Sequence, residues 1–196
     1  SKIVACGKLA VSPEGKTELV KITTTNPKQA ALTFEDPLCP TCKAFHKRLV
    51  GEGIYENLDL QVAVFPLDSE CNWMLQRPMH PGACVLARAV LCADKDGKAR
   101  SVLEWSYDNQ EELAAAGKAD VADLRARVKK KFPELDACID TKETKDRLDK
   151  ILRFAVDNKV RVSTPQLFLG ETRVCDEDTD MGLSYTLRRL APGAQK

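Results

Sequence analysis

Phe34-Glu35-Asp36-Pro37-Leu38-Cys39-Pro40-Thr41-Cys42 joins an apolar run, Ala30 to Phe34, to a stretch with helical spacing. Ala30 to Phe34 reads as a strand buried on both faces, because it is short, apolar and closed by a turn signal. The helix that follows begins at the cysteines. Cys39 stands where an N-cap would, Pro40 takes the first helical position, where its missing N–H costs nothing, and Gly51 offers a stop. Cys42, Phe45 and Leu49 recur at i, i+3 and i+7, so Cys42 is expected to face the core and Cys39 to stand at the exposed tip.

Outward from this stretch, Glu18 to Thr24 reads as a strand that turns at Asn26-Pro27, and Leu58 to Phe65 as another strand, ended by Pro66. Strand, helix and strand make a βαβ unit. The period then changes to helical for a long block. Val85, Ala89 and Cys92 share one face, Val121, Leu124, Val128 and Phe132 a second, and Leu148, Ile151, Leu152, Ala155 and Val156 a third. A turn at Asp96-Gly97 and a break at Pro133 interrupt the block. Pro165 to Leu169, Gly170-Glu171 and Thr172 to Cys175 then read as a hairpin, and Leu183, Leu187 and Leu190 mark a last helix. The fold class is therefore α/β, with no internal repeat and no low-complexity segment.

The chain has 196 residues, 43% apolar and 30% charged, the composition of a soluble globular protein. A net charge of +1 provides no global field for nucleic acid or an anionic membrane, and Lys129-Lys130-Lys131 reads as a solvated helix face. The eight cysteines suit an oxidising compartment, a periplasm or the extracellular space, so the chain is expected to be exported. Its start shows no basic-then-apolar leader, and no apolar run approaches the ~20 residues that span a bilayer. It reads as a mature protein or as a domain of a longer one. No Gly-rich phosphate loop suggests an organic cofactor, and none is expected.

Cys39-Pro40-Thr41-Cys42 admits three chemistries. At a helix start, unpaired N–H groups and the positive end of the helix dipole favour a thiolate at the first cysteine, lowering its pKa from about 8.5 toward ~3.5 to 7.5. The second cysteine, one turn along and partly buried, stays protonated until it resolves the mixed disulfide formed by the first. A purely structural bridge is the weaker reading, because closing so small a loop removes little freedom from the unfolded chain. Zinc would need a second pair of donors. No second C-x-x-C exists, and His80-Pro81-Gly82-Ala83-Cys84 is a turn rather than a helical face. Redox chemistry is favoured.

The other six cysteines allow fifteen pairings. Cys84 and Cys92 on one helix would lie ~12 Å apart along its axis, beyond the ~7 Å limit between α-carbons. Cys71 with Cys84 is plausible, as a staple over the loop that holds Pro78 and Pro81. Asp36 reads equally as a proton-transfer group beside Cys42 and as a turn cap. His46 reads as a surface or satisfied histidine, His80 as a loop residue, and Trp73 and Met74 as core cover rather than groove lining.

The segment from Phe34 to Cys42 resembles the active-site strand and helix start of thioredoxin-fold thiol-disulfide oxidoreductases of the DsbA type. Those proteins often carry an aspartate three residues before the first cysteine, as Asp36 is, and a proline after it, as Pro40 is. They also hold a helical insertion between their βαβ and ββα halves. Leu135 to Asp140 and Val162-Ser163-Thr164-Pro165-Gln166-Leu167-Phe168-Leu169-Gly170 are similar to the end of that insertion and to the cis-proline strand. The resemblance implies a thioredoxin fold, βαβ then ββα around a mixed sheet, with a large helical insertion. Residues 1–17 would be an N-terminal extension, 18–81 and 160–196 the thioredoxin-like domain, and 82–159 the insertion. It implies Cys39 as nucleophile, Cys42 as resolving thiol, and Pro40, Thr41, Thr164 and Pro165 as substrate-binding, the backbone of Thr164 pairing with an extended substrate segment. Thr164 stands where DsbA itself usually has an aliphatic residue, closer to isomerase-like and reductase-like members, so the direction of electron flow stays open. Gly170 to Cys175 and Asp180 to Leu183 are also similar to thioredoxin-like domains attached to vitamin K epoxide reductase family membrane proteins, which implies a membrane quinone-linked partner.

Two functions follow. The first is an exported thiol-disulfide oxidoreductase acting on cysteine-containing protein substrates. The second is a non-catalytic interaction module whose cysteines are staples or hold zinc.

Overall fold

The structure, a computed structural model, describes residues 6–176. Its centre is β2 (Gln29–Glu35), buried from Ala31 to Glu35. Parallel to it runs β3 (Leu58–Val64), with Ala31 opposite Leu60 and Phe34 opposite Ala63, and α1 (Pro40–Gly51) makes the crossover between them. On the far side of β3 lies β1 (Val20–Lys21), antiparallel and shorter than the span read from the sequence. The ladder ends early because the hydroxyl of Thr24 donates to the carbonyl of Leu58 at 2.6 Å, where a strand would use a backbone N–H.

On the other side of β2 lies β4 (Gln166–Leu169), antiparallel, followed across Gly170-Glu171 by β5 (Thr172–Arg173). Gly170 has φ 60°, the left-handed backbone that a tight turn demands. The sheet order is β1-β3-β2-β4-β5. Residues 6–9 cover the outer edge. Cys6 N–H donates to Arg173 O at 3.1 Å, Leu9 N–H to Glu171 O at 2.8 Å, and Arg173 N–H to Gly7 O at 2.9 Å. The Cys6–Cys175 disulfide fastens this seam, so the edge is not left open for pairing with another chain.

Between β3 and β4 stand six helices: α2 (Ala83–Asp94), α3 (Ala99–Asp108), α4 (Gln110–Ala119), α5 (Val121–Lys131), α6 (Asp136–Ile139) and α7 (Lys142–Asp157). The spacing of Val85, Ala89 and Cys92 suggested one buried face for α2. Every residue from Ala83 to Ala93 is buried, because α2 packs against β1, α3, α5, α6 and α7. Apart from Arg88, which pairs with Glu70 at 3.0 Å, small and aliphatic side chains and cysteines let it be surrounded. In α7, Leu148, Ile151, Leu152 and Ala155 point inward, while Val156 is exposed, at the margin of that stripe. Val121, at the start of α5, is also exposed. The Asp120 carboxylate caps α5 and the Thr141 hydroxyl caps α7, each accepting a backbone N–H of the first turn.

Cys92 is bonded to Cys138, tying α2 to α6, and Cys71 to Cys84, the staple singled out over the proline loop. No helix among the described residues is long and apolar enough to cross a membrane. The expected last helix at Leu183, Leu187 and Leu190, and the stretch Asp180 to Leu183, lie outside the described residues.

Candidate active site

The end of β2 delivers the chain to the start of α1 through a loop closed by its own backbone. Cys39 N–H donates to Asp36 O at 3.0 Å, and Cys39 is the N-cap, with φ −80° and ψ 119°. Pro40 is the first helical residue. From α4, Gln110 Nε2 donates to the carbonyls of Pro37 (3.0 Å) and Cys39 (2.9 Å), so the helical block grips the loop that carries the first cysteine.

Cys39 does not stand at an exposed tip. It is 5% exposed, while Pro40 and Thr41 beside it are open to solvent. Its Sγ lies 2.9 Å from Thr41 Oγ1 and 3.6 Å from the carbonyl oxygen of Thr164. The Thr164–Pro165 loop thus lies over the sulfur from the far end of the fold. Cys42 is fully buried. These two are the free cysteines of the described residues, and the other six are paired.

The Thr164–Pro165 peptide is cis, and Thr41 Oγ1 donates to Thr164 O at 3.2 Å. The buried Gln166 Nε2 donates to the carbonyls of Arg161 and Ser163, holding the loop from behind. A cleft of about 260 Å³ opens between this loop and α1, lined by Thr41, Phe45, Arg48, Ser163, Thr164 and Pro165 among others. Thr41, Thr164 and Pro165 are brought together there, whereas Pro40 is not part of its lining.

The two thiols are driven apart in acidity. Cys39 is lowered from 9.0 to about 5, first by the hydrogen bond from the Cys42 thiol, with Thr164, Thr41 and the Cys42 backbone adding to it against the effect of burial. Cys42 is raised well above 9.0, first by burial, then by its bond to Cys39 and by the negative charges of Cys39 and Glu35. Glu35 is buried, accepting from Tyr107 Oη at 2.7 Å and from Thr33 Oγ1 at 2.5 Å. Burial and the same carboxylate raise the Tyr107 hydroxyl well above its ordinary value.

Asp36 sits with its carboxylate fully buried and shared among three donors. These are Leu38 N–H at 2.8 Å, Leu67 N–H at 2.9 Å, and His80 Nδ1 at 2.7 Å. The first of these is the turn-cap pattern. His80 is on a loop, but as a partner of this acid rather than a bystander. His46 is not at the surface. It packs between the rings of Tyr55 and Tyr107, with Nε2 3.5 Å from Glu104. Trp73 is 52% exposed and does not cover the core, while Met74 is half-buried against it.

Glu35, Tyr107 and Gln110 were not singled out from sequence, and His80 was read only as a loop residue. For Glu35 a signal existed, namely an acid continuing a strand read as buried on both faces, where a charge needs a partner. For Tyr107 and Gln110 none did, since their contacts to Glu35 and Cys39 span 72 and 71 residues.

No protein-family model matches the sequence, and no curated protein matches it significantly. Solved structures do match the fold. The alpha-DsbA1 of Wolbachia pipientis superposes with a TM-score of 0.64 at 13% identity, covering 91% of this chain and 92% of that one. DsbA of Xylella fastidiosa gives 0.57 at 19% identity over 88% and 90%. The catalytic domain of Proteus mirabilis ScsC gives 0.56 at 17% identity over 89% and 92%. With a five-stranded mixed sheet whose two halves are separated by a helical block, the chain has the DsbA-like thioredoxin fold.

Proposed function

We propose that this chain is a thiol-disulfide oxidoreductase that exchanges disulfides with cysteine-containing protein substrates. One observation carries the reading. Of eight cysteines six are paired and two are left free at a helix start, the first held as a thiolate and the second as a thiol. Zinc would need two more donors, and the remaining cysteines are spent on disulfides. Those three staples suit an oxidising, extracytoplasmic compartment, which is where the reaction is placed.

In the direction that starts from the dithiol, the Cys39 thiolate attacks one sulfur of a substrate disulfide and the other sulfur leaves as a thiolate. Cys42 then gives up its proton and attacks Cys39 Sγ, so that the second substrate sulfur departs and a Cys39–Cys42 disulfide remains. Reversal oxidises a substrate dithiol. A thiolate stabilised this far favours the reduced pair, so the disulfide form is the oxidant and donation to substrates is the downhill direction. The cleft beside Thr164 and Pro165 receives the extended substrate segment.

The test is the potential of the pair against glutathione as a function of pH. With Cys39 ionised above about 5 and Cys42 protonated throughout, reduction takes up one proton for two electrons. The potential should then fall by about 30 mV per pH unit between pH 6 and 8, and lie nearer to about −120 mV than to about −270 mV at neutrality. A slope of about 59 mV per unit over that range, the two-proton value, would show that Cys39 is an ordinary thiol.

The proton released by Cys42 is assigned to Glu35. Both acids hold hydrogen bonds, Asp36 from Leu38, Leu67 and His80 and Glu35 from Tyr107 and Thr33, but it is the Glu35 charge that is among the leading influences on Cys42. In Glu35→Gln the loss of that charge lowers the Cys42 pKa but removes the acceptor. The mixed disulfide with glutathione should consequently persist about tenfold longer near neutral pH. An unchanged lifetime, followed by rapid quench and mass spectrometry, would exclude the assignment.

A further inference from the structure

We propose that His80 is a charge-bearing positioning residue for the Cys39–Cys42 site, delivered from outside the C-x-x-C by the loop between β3 and α2. The inference rests on the oxidoreductase reading above and adds to it a cation that neither Pro40 nor Thr41 can supply.

The geometry centres on the buried carboxylate of Asp36. It binds Leu38 N–H, next to the nucleophile, and Leu67 N–H, just past β3, and its own backbone carbonyl accepts the N–H of Cys39. His80 Nδ1 completes this set at 2.7 Å, with its side chain still 18% exposed. A buried carboxylate needs such donors, and an imidazolium with one wet edge provides a donor and a balancing charge together. His80 is therefore one bonded step from the residue that closes the turn at Cys39.

The loop that carries it is built to hold a fixed position. The backbone N–H groups of Met79 and His80 both donate to Leu67 O, at 3.0 and 2.9 Å. Cys71 and Cys84 are bonded across the loop, and Asp68 Oδ2 accepts Gly82 N–H at 3.2 Å. Asn72 Nδ2 ties the loop start to Pro66 O at 3.0 Å. On the α4 side, a Cβ at Gly117 would overlap the carbonyl of Pro81, so the helix lies directly against this loop.

The charged groups that face the ring come from three elements. Asp36, after β2, and Cys39, at the head of α1, favour its protonated form, and Lys118 of α4 opposes it. The Asp36 hydrogen bond leads, burial opposes it, and the net effect raises His80 above 6.5. Coupling is reciprocal, so a proton on His80 weakens the hold of Cys39 on its own. Since His80 is not among the largest influences on Cys39, the effect is modest, about a threefold change in the proton affinity of Cys39.

His80→Asn tests this, because the asparagine amide can occupy the place of Nδ1 and still donate to Asp36 while carrying no charge. The reduced protein is titrated by thiolate absorbance, and its oxidation by glutathione disulfide is timed across pH. In His80→Asn the Cys39 midpoint should rise by about half a unit, threefold in proton affinity, with the rate profile shifted alike. His80→Lys should return the midpoint toward the wild-type value. The wild type should also be more stable than His80→Asn below pH 6.5 and lose that advantage as pH rises through the raised His80 value. An unmoved midpoint in His80→Asn, even with a lower melting temperature, would overturn the proposal, as would a midpoint in His80→Lys equal to that of His80→Asn. If the wild type itself neither exchanges with glutathione disulfide nor shows a thiolate step, the oxidoreductase reading fails first. Normal wild-type exchange with identical midpoints defeats the His80 proposal alone.

Discussion

Replacing Cys39 by alanine is expected to abolish disulfide exchange, by about 10³-fold or more, while Cys42→Ala leaves the first attack intact and stops the reaction at the mixed disulfide. The asymmetry follows from burial and charge. Cys42 is fully covered and held as a thiol, so it has neither the access nor the ionisation to replace Cys39. Cys39 lies under the Thr164 loop yet next to solvent-open Thr41, and its thiolate needs no base at neutral pH. Incubation with glutathione disulfide followed by intact-mass measurement reads both outcomes. Cys42→Ala should carry one glutathione on Cys39, and Cys39→Ala none. Stable glutathionylation of Cys39→Ala at Cys42 would reverse the two roles.

The largest change in stability is expected at the opposite edge of the sheet. The Cys6–Cys175 bond closes a loop of 169 residues, against 46 for Cys92–Cys138 and 13 for Cys71–Cys84. In the chain-entropy account its removal costs about 5 kcal/mol, against about 3 kcal/mol for the shortest loop. It also frees the segment at residues 6–9 that pairs with β5, so enthalpy and entropy act in the same direction. Urea unfolding of Cys6→Ala/Cys175→Ala beside Cys71→Ala/Cys84→Ala measures the order. A smaller loss for the first pair would show that loop closure does not govern this chain. The shorter staple would be expected to matter more for the position of His80 than for stability.

Much of this site is readable along the chain because it is local. Pro40 at the first helical position, the i, i+3, i+7 spacing of Cys42, Phe45 and Leu49, and the both-faces-buried strand before them are short-range patterns. The hairpin at Gly170 is local too. Local patterns misplaced Cys39, because what covers it, the loop at Thr164, arrives from 125 residues away. The same limit applied to Trp73, read as core cover and found 52% exposed on the loop between β3 and α2. It applied to α2 as well. A helical stripe predicts a side to bury, but only the number of neighbouring elements decides whether the remaining sides are buried too.

What the amino-acid sequence by itself determined was the candidate pair and the helix start that carries it, since a proline-started helix orients its own N–H groups wherever it is placed. Tertiary structure alone decided which acids and cations surround that pair. Tyr107, Gln110 and His80 reach the site across long separations in sequence, and even for Glu35, a few residues from Cys39, the effect on a proton depends on distance and burial, which no local pattern encodes.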